Sequence, residues 1–205
     1  MTEILLPSSA TRGPTDHNVR DQIVAAATEH FAHYGYEKTT VSDLAKAIGF
    51  SKAYIYKFFD SKRAIGEVIC GNCLGSIIIA VQKSIGDSTT ASDRLRSMFG
   101  TVVTASMGLF SNERKLYSVA AFAASEHWHA AAQYEDRLIQ FLRQILKEGR
   151  DSGEFECTTP LDETVSAVYL VLRPYVNPLL LQYQLDQAEA ASGRLTRLLL
   201  RSLAP

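Results

Sequence analysis

Cysteine is scarce, with three in 205 residues, and an odd number in a chain this long makes no disulfide framework. Long apolar runs are missing as well. None approaches the roughly 18 residues that a membrane span requires, so no membrane partner is expected. The 46% hydrophobic content is still enough for a packed core without metal or disulfide staples. Net charge is nearly absent, at −1, so any contact with nucleic acid has to come from a local patch. The N-terminus offers only Ile4-Leu5-Leu6 before Pro7. It has neither the basic flank nor the small-residue cleavage pattern of a secretory signal. A reducing, cytoplasmic setting is the expectation.

Other absences narrow the fold and the chemistry. No stretch alternates apolar and polar residues for long, which argues against sheets. No unit repeats every 20 to 50 residues. There is no Gly-rich phosphate loop and no Ser-His-Asp spacing, so neither an enzyme nor a cofactor site is expected. His30 and His33 share no helix face with another ligand. His127, His129 and Cys157 are the only further metal donors near enough to consider, at no zinc-site spacing. Cys70-Gly71-Asn72-Cys73 does have thiol–disulfide spacing. A thiol-redox protein is therefore one reading, but the pair falls inside a long predicted helix rather than at the exposed helix N-terminus that lowers a thiolate's pKa.

What is present is helical period. Residues 1–17, with Pro7, Ser8, Ser9, Gly13 and Pro14, predict a flexible leader. From there Ile23, Ala26, Ala27, Phe31 and Tyr34 form one apolar stripe that ends at Gly35. Thr40 predicts an N-cap, and Val41, Leu44, Ala45 and Ile48 follow at i, i+3, i+4 and i+7 before Gly49. Ser51 predicts the next cap, for a helix to Phe59 with Ile55, Phe58 and Phe59 inward. Asp60-Ser61 predicts the cap of a long helix reaching Ile85, about 37 Å at 1.5 Å per residue. Three short helices with only Gly49-Phe50 between the last two form a helix-turn-helix over residues 18–64. Residues 65–205 predict an all-α second domain. Its helices are expected near Ser92–Phe110, Asn112–Ser125 and Ala130–Asp151, then from Thr159-Pro160 to at least Arg173. A terminal helix carries Leu195, Leu198, Leu199 and Leu203 opposite Arg194, Arg197 and Arg201.

Charge gathers on the helix-turn-helix. Residues 38–63 hold six basic and two acidic side chains, a local +4 in a chain of −1. Cations concentrated there would displace the counterions condensed on DNA. With Ile55, Phe58 and Phe59 inward, Lys52, Ala53, Tyr54, Tyr56 and Lys57 are expected to face outward. Residues in the first turn of such a helix can touch base edges, while Tyr and Lys bond phosphates.

Gly35-Tyr36, Thr39-Thr40-Val41, Leu44-Ala45, Gly49-Phe50-Ser51-Lys52, Tyr56-Lys57-Phe58-Phe59 and Lys62 together resemble the DNA-binding signature of the tetracycline-repressor (TetR) family, over Arg20 to Gly66. The resemblance implies Thr40, Tyr56 and Lys62 on phosphates, and Lys52, Ala53 and Tyr54 toward bases, with Ser51 and Lys57 in the same surface. Phe58, often Tyr or His in that signature, cannot donate to phosphate. The resemblance also implies a divergent second domain that dimerises and binds a small-molecule effector, whose arrival releases a repressor from a pseudo-palindromic operator.

Independent of it, Val165 to Leu172 is apolar nearly all round, as on a helix covered from both sides. A homodimer would supply the second cover. Pocket candidates are Met98, Phe99, Val102, Met107, Phe110, Tyr117, Phe122, Trp128, Tyr134, Tyr169 and Arg173, the last a charge closing an apolar run. A constitutive DNA binder without a ligand switch is the alternative that keeps the same fold.

Overall fold

The computed structural model describes residues 16–112 and 114–205. The expected leader lies outside the described residues, save Asp16 and His17, which already belong to the first helix. The order is α1 (Asp16–Tyr34), α2 (Val41–Ile48), α3 (Lys52–Ile55), α4 (Lys62–Gly86), α5 (Ala91–Asn112), α6 (Arg114–Ser125), α7 (His129–Asp151), α8 (Leu161–Val176), α9 (Pro178–Leu181), a 3-10 turn (Leu185–Gln187) and α10 (Ala188–Ser202). Among the described residues there is no strand.

The first three helices close on Ile23, Ala27, Phe31, Leu44, Ile55 and Phe59. Gly35, at φ 87, and Gly49, at φ 72, stop α1 and α2 in the left-handed region that favours glycine. Tyr34, expected in the α1 stripe, is 55% exposed. The turn at Gly35 puts Tyr36 inside instead, edge-on to Phe31 at 5.1 Å between centroids. Thr40 caps α2 in a reciprocal box: its hydroxyl accepts from the Asp43 amide at 3.2 Å, and Asp43 accepts from the Thr40 amide at 2.9 Å.

α3 is shorter than expected. Ser51 accepts from the Tyr54 amide at 3.1 Å, but regular helix ends at Ile55 rather than Phe59. The amides of Lys57 and Phe58 reach back only three residues, to Tyr54 and Ile55, tightening the chain out of the α-helical pattern. Ser61 then caps α4 through the Ala64 amide at 3.0 Å.

Contrary to the expectation that no segment is long and apolar enough for a membrane span, α4 passes that test by length and composition. Its Ile65, Gly66, Ile69, Cys70, Leu74, Ile77 and Val81 are instead buried inside the protein. Around it, α5 and α7 supply Met98, Phe99, Val102, Leu138, Leu142 and Ile145, and α8 supplies Val165, Val168 and Leu172. This buried cluster runs without a break from Val19 to Leu203, so the two regions divided at residue 64 share one core.

Two carboxylates cap helices from a distance. Glu154 accepts from the Ala91 and Ser92 amides at 2.9 and 3.0 Å, and Glu67 from the His129 and Ala130 amides at 3.1 and 2.9 Å. Each meets the partial positive charge of a helix N-terminus.

Two expectations for the C-terminal helices are revised. Pro160, not Thr159, is the N-cap of α8, which runs beyond Arg173 as expected and through Pro174 to Val176. In α10 the buried side is Ala188, Ser192 and Thr196, while Leu198 is 60% exposed and Leu203 lies just beyond the helix, buried.

Candidate nucleic-acid interface and interior cavity

The surface of α3 is built from its cap outward. Ser51, Lys52 and Ala53 are exposed around the first turn, and Tyr56 and Lys57 are exposed just after it. Lys52 Nζ lies 5.8 Å from the Tyr56 ring centroid, and Lys57 Nζ 5.6 Å from that of Tyr54, so both cations rest against aromatic faces. Thr40 is exposed beside them at the start of α2. Tyr54 departs from the outward position expected of it. It is half-buried, edge-on between Phe50 at 5.1 Å and Phe58 at 5.4 Å, and Phe58 is half-buried rather than inside.

Lys62 also departs. Its ammonium donates to the carbonyl oxygens of Tyr36 and Thr39, both at 3.0 Å, and of Glu37 at 3.5 Å. It stands 4.3 Å from the Tyr36 ring centroid. Burial pulls its pKa below the ordinary lysine value. An ammonium with three donors and three carbonyl partners has no proton left for a phosphate. Lys62 therefore clasps the α1–α2 turn to the start of α4.

Below that clasp the turn meets the second region. Tyr36, Phe122 and Trp128 gather with centroids 5.1 to 5.7 Å apart. A Cβ on Gly66 would stand 2.7 Å from Trp128 and 2.9 Å from Tyr36, so only glycine lets α4 approach the rings this closely. Phe122 and Trp128, expected in an effector pocket, belong to this junction. Neither Gly66 nor Tyr36 stood out in sequence beyond the motif, because nothing local marks a long-range contact.

The remaining pocket candidates disperse. Met98, Phe99 and Val102 are core. Phe110 sits at the end of α5, edge-on to Tyr117 at 4.8 Å, and Met107 packs with Val103, Tyr175 and Leu181. Arg173 is exposed on α8. Tyr169 is half-buried, its hydroxyl enclosed beside Glu135. Tyr134 and Tyr117 do line an interior cavity, together with Leu74, Ile77, Ser106 and Leu181. Of these linings, Leu74, Ile77, Ser106 and Leu181 went unforeseen. The space within is about 10 Å³, on the scale of one water molecule.

Cys70 is buried within α4, and burial drives its thiol up to about 12. That is opposite to the depressed pKa a redox nucleophile needs. Among the described residues, no three His, Cys, Asp or Glu side chains gather as a metal would require.

A helix-turn-helix borne on the end of a long core helix, with an all-helical region behind it, is the build of a transcription regulator. Residues 23–68 match the family described as bacterial regulatory proteins, tetR family, and residues 91–195 match the tetracyclin repressor-like C-terminal domain. The chain belongs to the TetR family of transcriptional regulators.

Among relatives, nucleoid occlusion factor SlmA of Mannheimia succiniciproducens is 29% identical over 160 residues, covering 74% of this chain and 70% of that protein. IcaR of Staphylococcus aureus, the negative transcriptional regulator of the biofilm operon icaADBC, is 36% identical over 76 residues, covering 36% of this chain and 41% of IcaR. The crystal structure of FadR from Bacillus subtilis in complex with stearoyl-CoA shares the fold at a TM-score of 0.66 and 23% identity, over 88% of this chain and 97% of that one. The families matched are those of regulators, and no enzyme family is among them.

Proposed function

We propose that this protein is a homodimeric repressor that reads a pseudo-palindromic operator through α3 and leaves it when a small molecule enters the C-terminal helices. The observation that carries this is the double attachment of α4. Its first turn is fastened to the helix-turn-helix by Lys62 and Gly66, and its middle walls the interior cavity with Leu74 and Ile77. Lys62 and Leu74 are twelve residues apart, about 18 Å along the helix axis. A ligand that shifts α4 at the cavity thus tilts the reading head. IcaR, a negative regulator, and FadR, solved with stearoyl-CoA, support repression and an effector respectively.

In this reading Lys52 and Ala53 face bases with Tyr54 at their edge, Thr40, Ser51, Tyr56 and Lys57 position the phosphate backbone, and Lys62 acts by holding the turn. Exposed Leu170 on α8 and Leu198 on α10, at 59% and 60%, support a second copy as partner. Two-fold symmetry then requires two similar half-sites. Action on operator DNA would be cytoplasmic.

Selection of bound duplexes from random DNA, repeated with a metabolite panel, tests the proposal. One enriched inverted repeat, released by a panel member, is expected. Enrichment of no sequence would refute it. A second reading, a DNA binder with no ligand switch, is favoured by the near-closure of the cavity and by the likeness to a nucleoid occlusion factor. It predicts an enriched sequence that no metabolite releases.

A further inference from the structure

The interior cavity lies among α4, α5, α6, α7 and the corner between α8 and α9, and its wall chemistry is uneven. Leu74, Ile77 and Leu181 are typical of it, and among the described residues no Lys, Arg, His, Asp or Glu lines it. Hydroxyls supply its polar side chains. The Tyr117 hydroxyl is already committed, donating to the Pro178 carbonyl at 2.7 Å. The Tyr134 hydroxyl is not. Tyr134 is only 5% exposed, its oxygen is fully enclosed, and its O–H finds no acceptor in hydrogen-bond geometry, Ser106 bearing on the oxygen as a donor. Beside it is Ser106, itself 6% exposed and part of the same wall.

A buried donor left unpaired is costly, and proteins rarely keep one without a use. Burial also holds the Tyr134 phenol above its ordinary pKa, so it remains a neutral donor. An anion brought into this wall would find no cation and would face Glu135, which already bears on Tyr134, and leaving an ion unpaired in apolar surroundings costs far more than pairing a neutral oxygen gains.

We propose that the effector is an uncharged, mainly apolar molecule with one hydrogen-bonding oxygen, a ketone, ester or alcohol, which accepts from the Tyr134 hydroxyl next to Ser106. This rests on the C-terminal helices being an effector domain. With about 10 Å³ of free space, the occupant enters only by pushing the wall outward. The Leu74 and Ile77 face of α4 is part of that wall.

The test uses the full-length protein and two matched probe sets: acetophenone, ethylbenzene and benzoate, then methyl nonyl ketone, undecane and undecanoate. Thermal unfolding reads binding, because a ligand that prefers the folded state raises Tm. At least one ketone raises Tm more than its hydrocarbon, and its carboxylate gives no rise. Tyr134→Phe keeps the ring, unfolds at the same or a higher temperature, and binds that ketone about tenfold more weakly, with hydrocarbon binding unchanged. Equal or better binding of a carboxylate, an unchanged ketone preference in Tyr134→Phe, or no shift from any probe overturns the proposal.

Operator affinity measured alongside separates it from the release reading. A ketone that raises Tm without weakening operator binding supports the assigned ligand class and overturns release by that ligand. Release by a carboxylate alone overturns the ligand class and leaves release standing.

Discussion

The Trp128 ring lies so close to the backbone of Gly66 that a Cβ there would stand 2.7 Å from its Cη2. This contact joins the first turn of α4 to the corner between α6 and α7, and Tyr36 of the α1–α2 turn completes it at 5.2 Å between ring centroids. Packing without spare room transmits displacement.

Gly66→Ala forces those rings apart. Overpacking of this kind costs about 1–3 kcal/mol, from which about 1 kcal/mol is recovered because alanine favours helix over glycine. A lower midpoint in urea unfolding is the expected result, with weaker operator binding because the reading head moves. An unchanged midpoint together with unchanged operator affinity would show that the junction is slack.

Lys62→Ala and Lys52→Ala should part company. Removing Lys62 leaves the Tyr36, Glu37 and Thr39 carbonyls without their donor, a loss of about 1–2 kcal/mol for charge-assisted bonds at a partly exposed site. Tm and operator affinity should fall together. Lys52 is exposed, so Lys52→Ala should spare Tm and alter which duplex is preferred. Calorimetry beside binding assays on a panel of operators separates the two; a Lys62→Ala protein with wild-type Tm and weakened DNA binding would return Lys62 to the phosphates.

Salt reports the phosphate contacts. The logarithm of the operator binding constant should fall linearly with the logarithm of salt concentration, and Lys57→Ala should make that slope shallower by about 1.8 for a dimer on two half-sites, about 0.9 for each released counterion. Tyr56→Phe should weaken all operators alike, since a phosphate contact carries no base information. Titration by fluorescence anisotropy at several salt concentrations measures both.

Acid should loosen the cap of α5 and the turn that leads into α8. Hydrogen bonds from the Ser92 and Ala91 amides hold Glu154 below the ordinary 4.5, and Thr158 and Thr159 hold Glu156 at about 2. A carboxyl whose folded pKa is depressed contributes stability above its unfolded pKa and loses it as pH falls through the folded value. Tm should therefore drop between about pH 4.5 and 2. In Glu156→Gln that drop should be smaller, because one titrating group is gone, and Tm measured as a function of pH checks it.

If α8 and α10 meet a second copy, Leu170→Glu and Leu198→Glu place charge in the interface. Each variant should sediment as a monomer and bind an inverted repeat more weakly than wild type. A dimeric double variant would exclude these leucines from the contact.

The helix-turn-helix was legible because its signals are local. Thr40, Ser51 and Ser61 bond amides three residues ahead, Gly35 and Gly49 end helices within one turn, and apolar period marks the inward side of α2. Errors came where distant packing decided. Tyr34 and Tyr36 are both aromatic at the end of α1, and only the turn at Gly35 selects which goes in. The place of Tyr54 on α3 predicts an outward ring, yet Phe50 and Phe58 flank it. The pocket candidates were apolar residues of the right kind, but kind does not distinguish a core position from a cavity wall.

By itself the sequence determined that the chain is helical, where most helices start and stop, and that positive charge collects around α3. Those outcomes depend on contacts within a few residues, which composition and spacing encode directly. Tertiary structure alone decided that Lys62 clasps carbonyls instead of projecting, that Trp128 bears on Gly66, and that Tyr134 keeps an O–H without an acceptor in an interior cavity. Each of these joins groups from separate elements, and their meeting depends on how α4 to α9 pack, which no local pattern specifies.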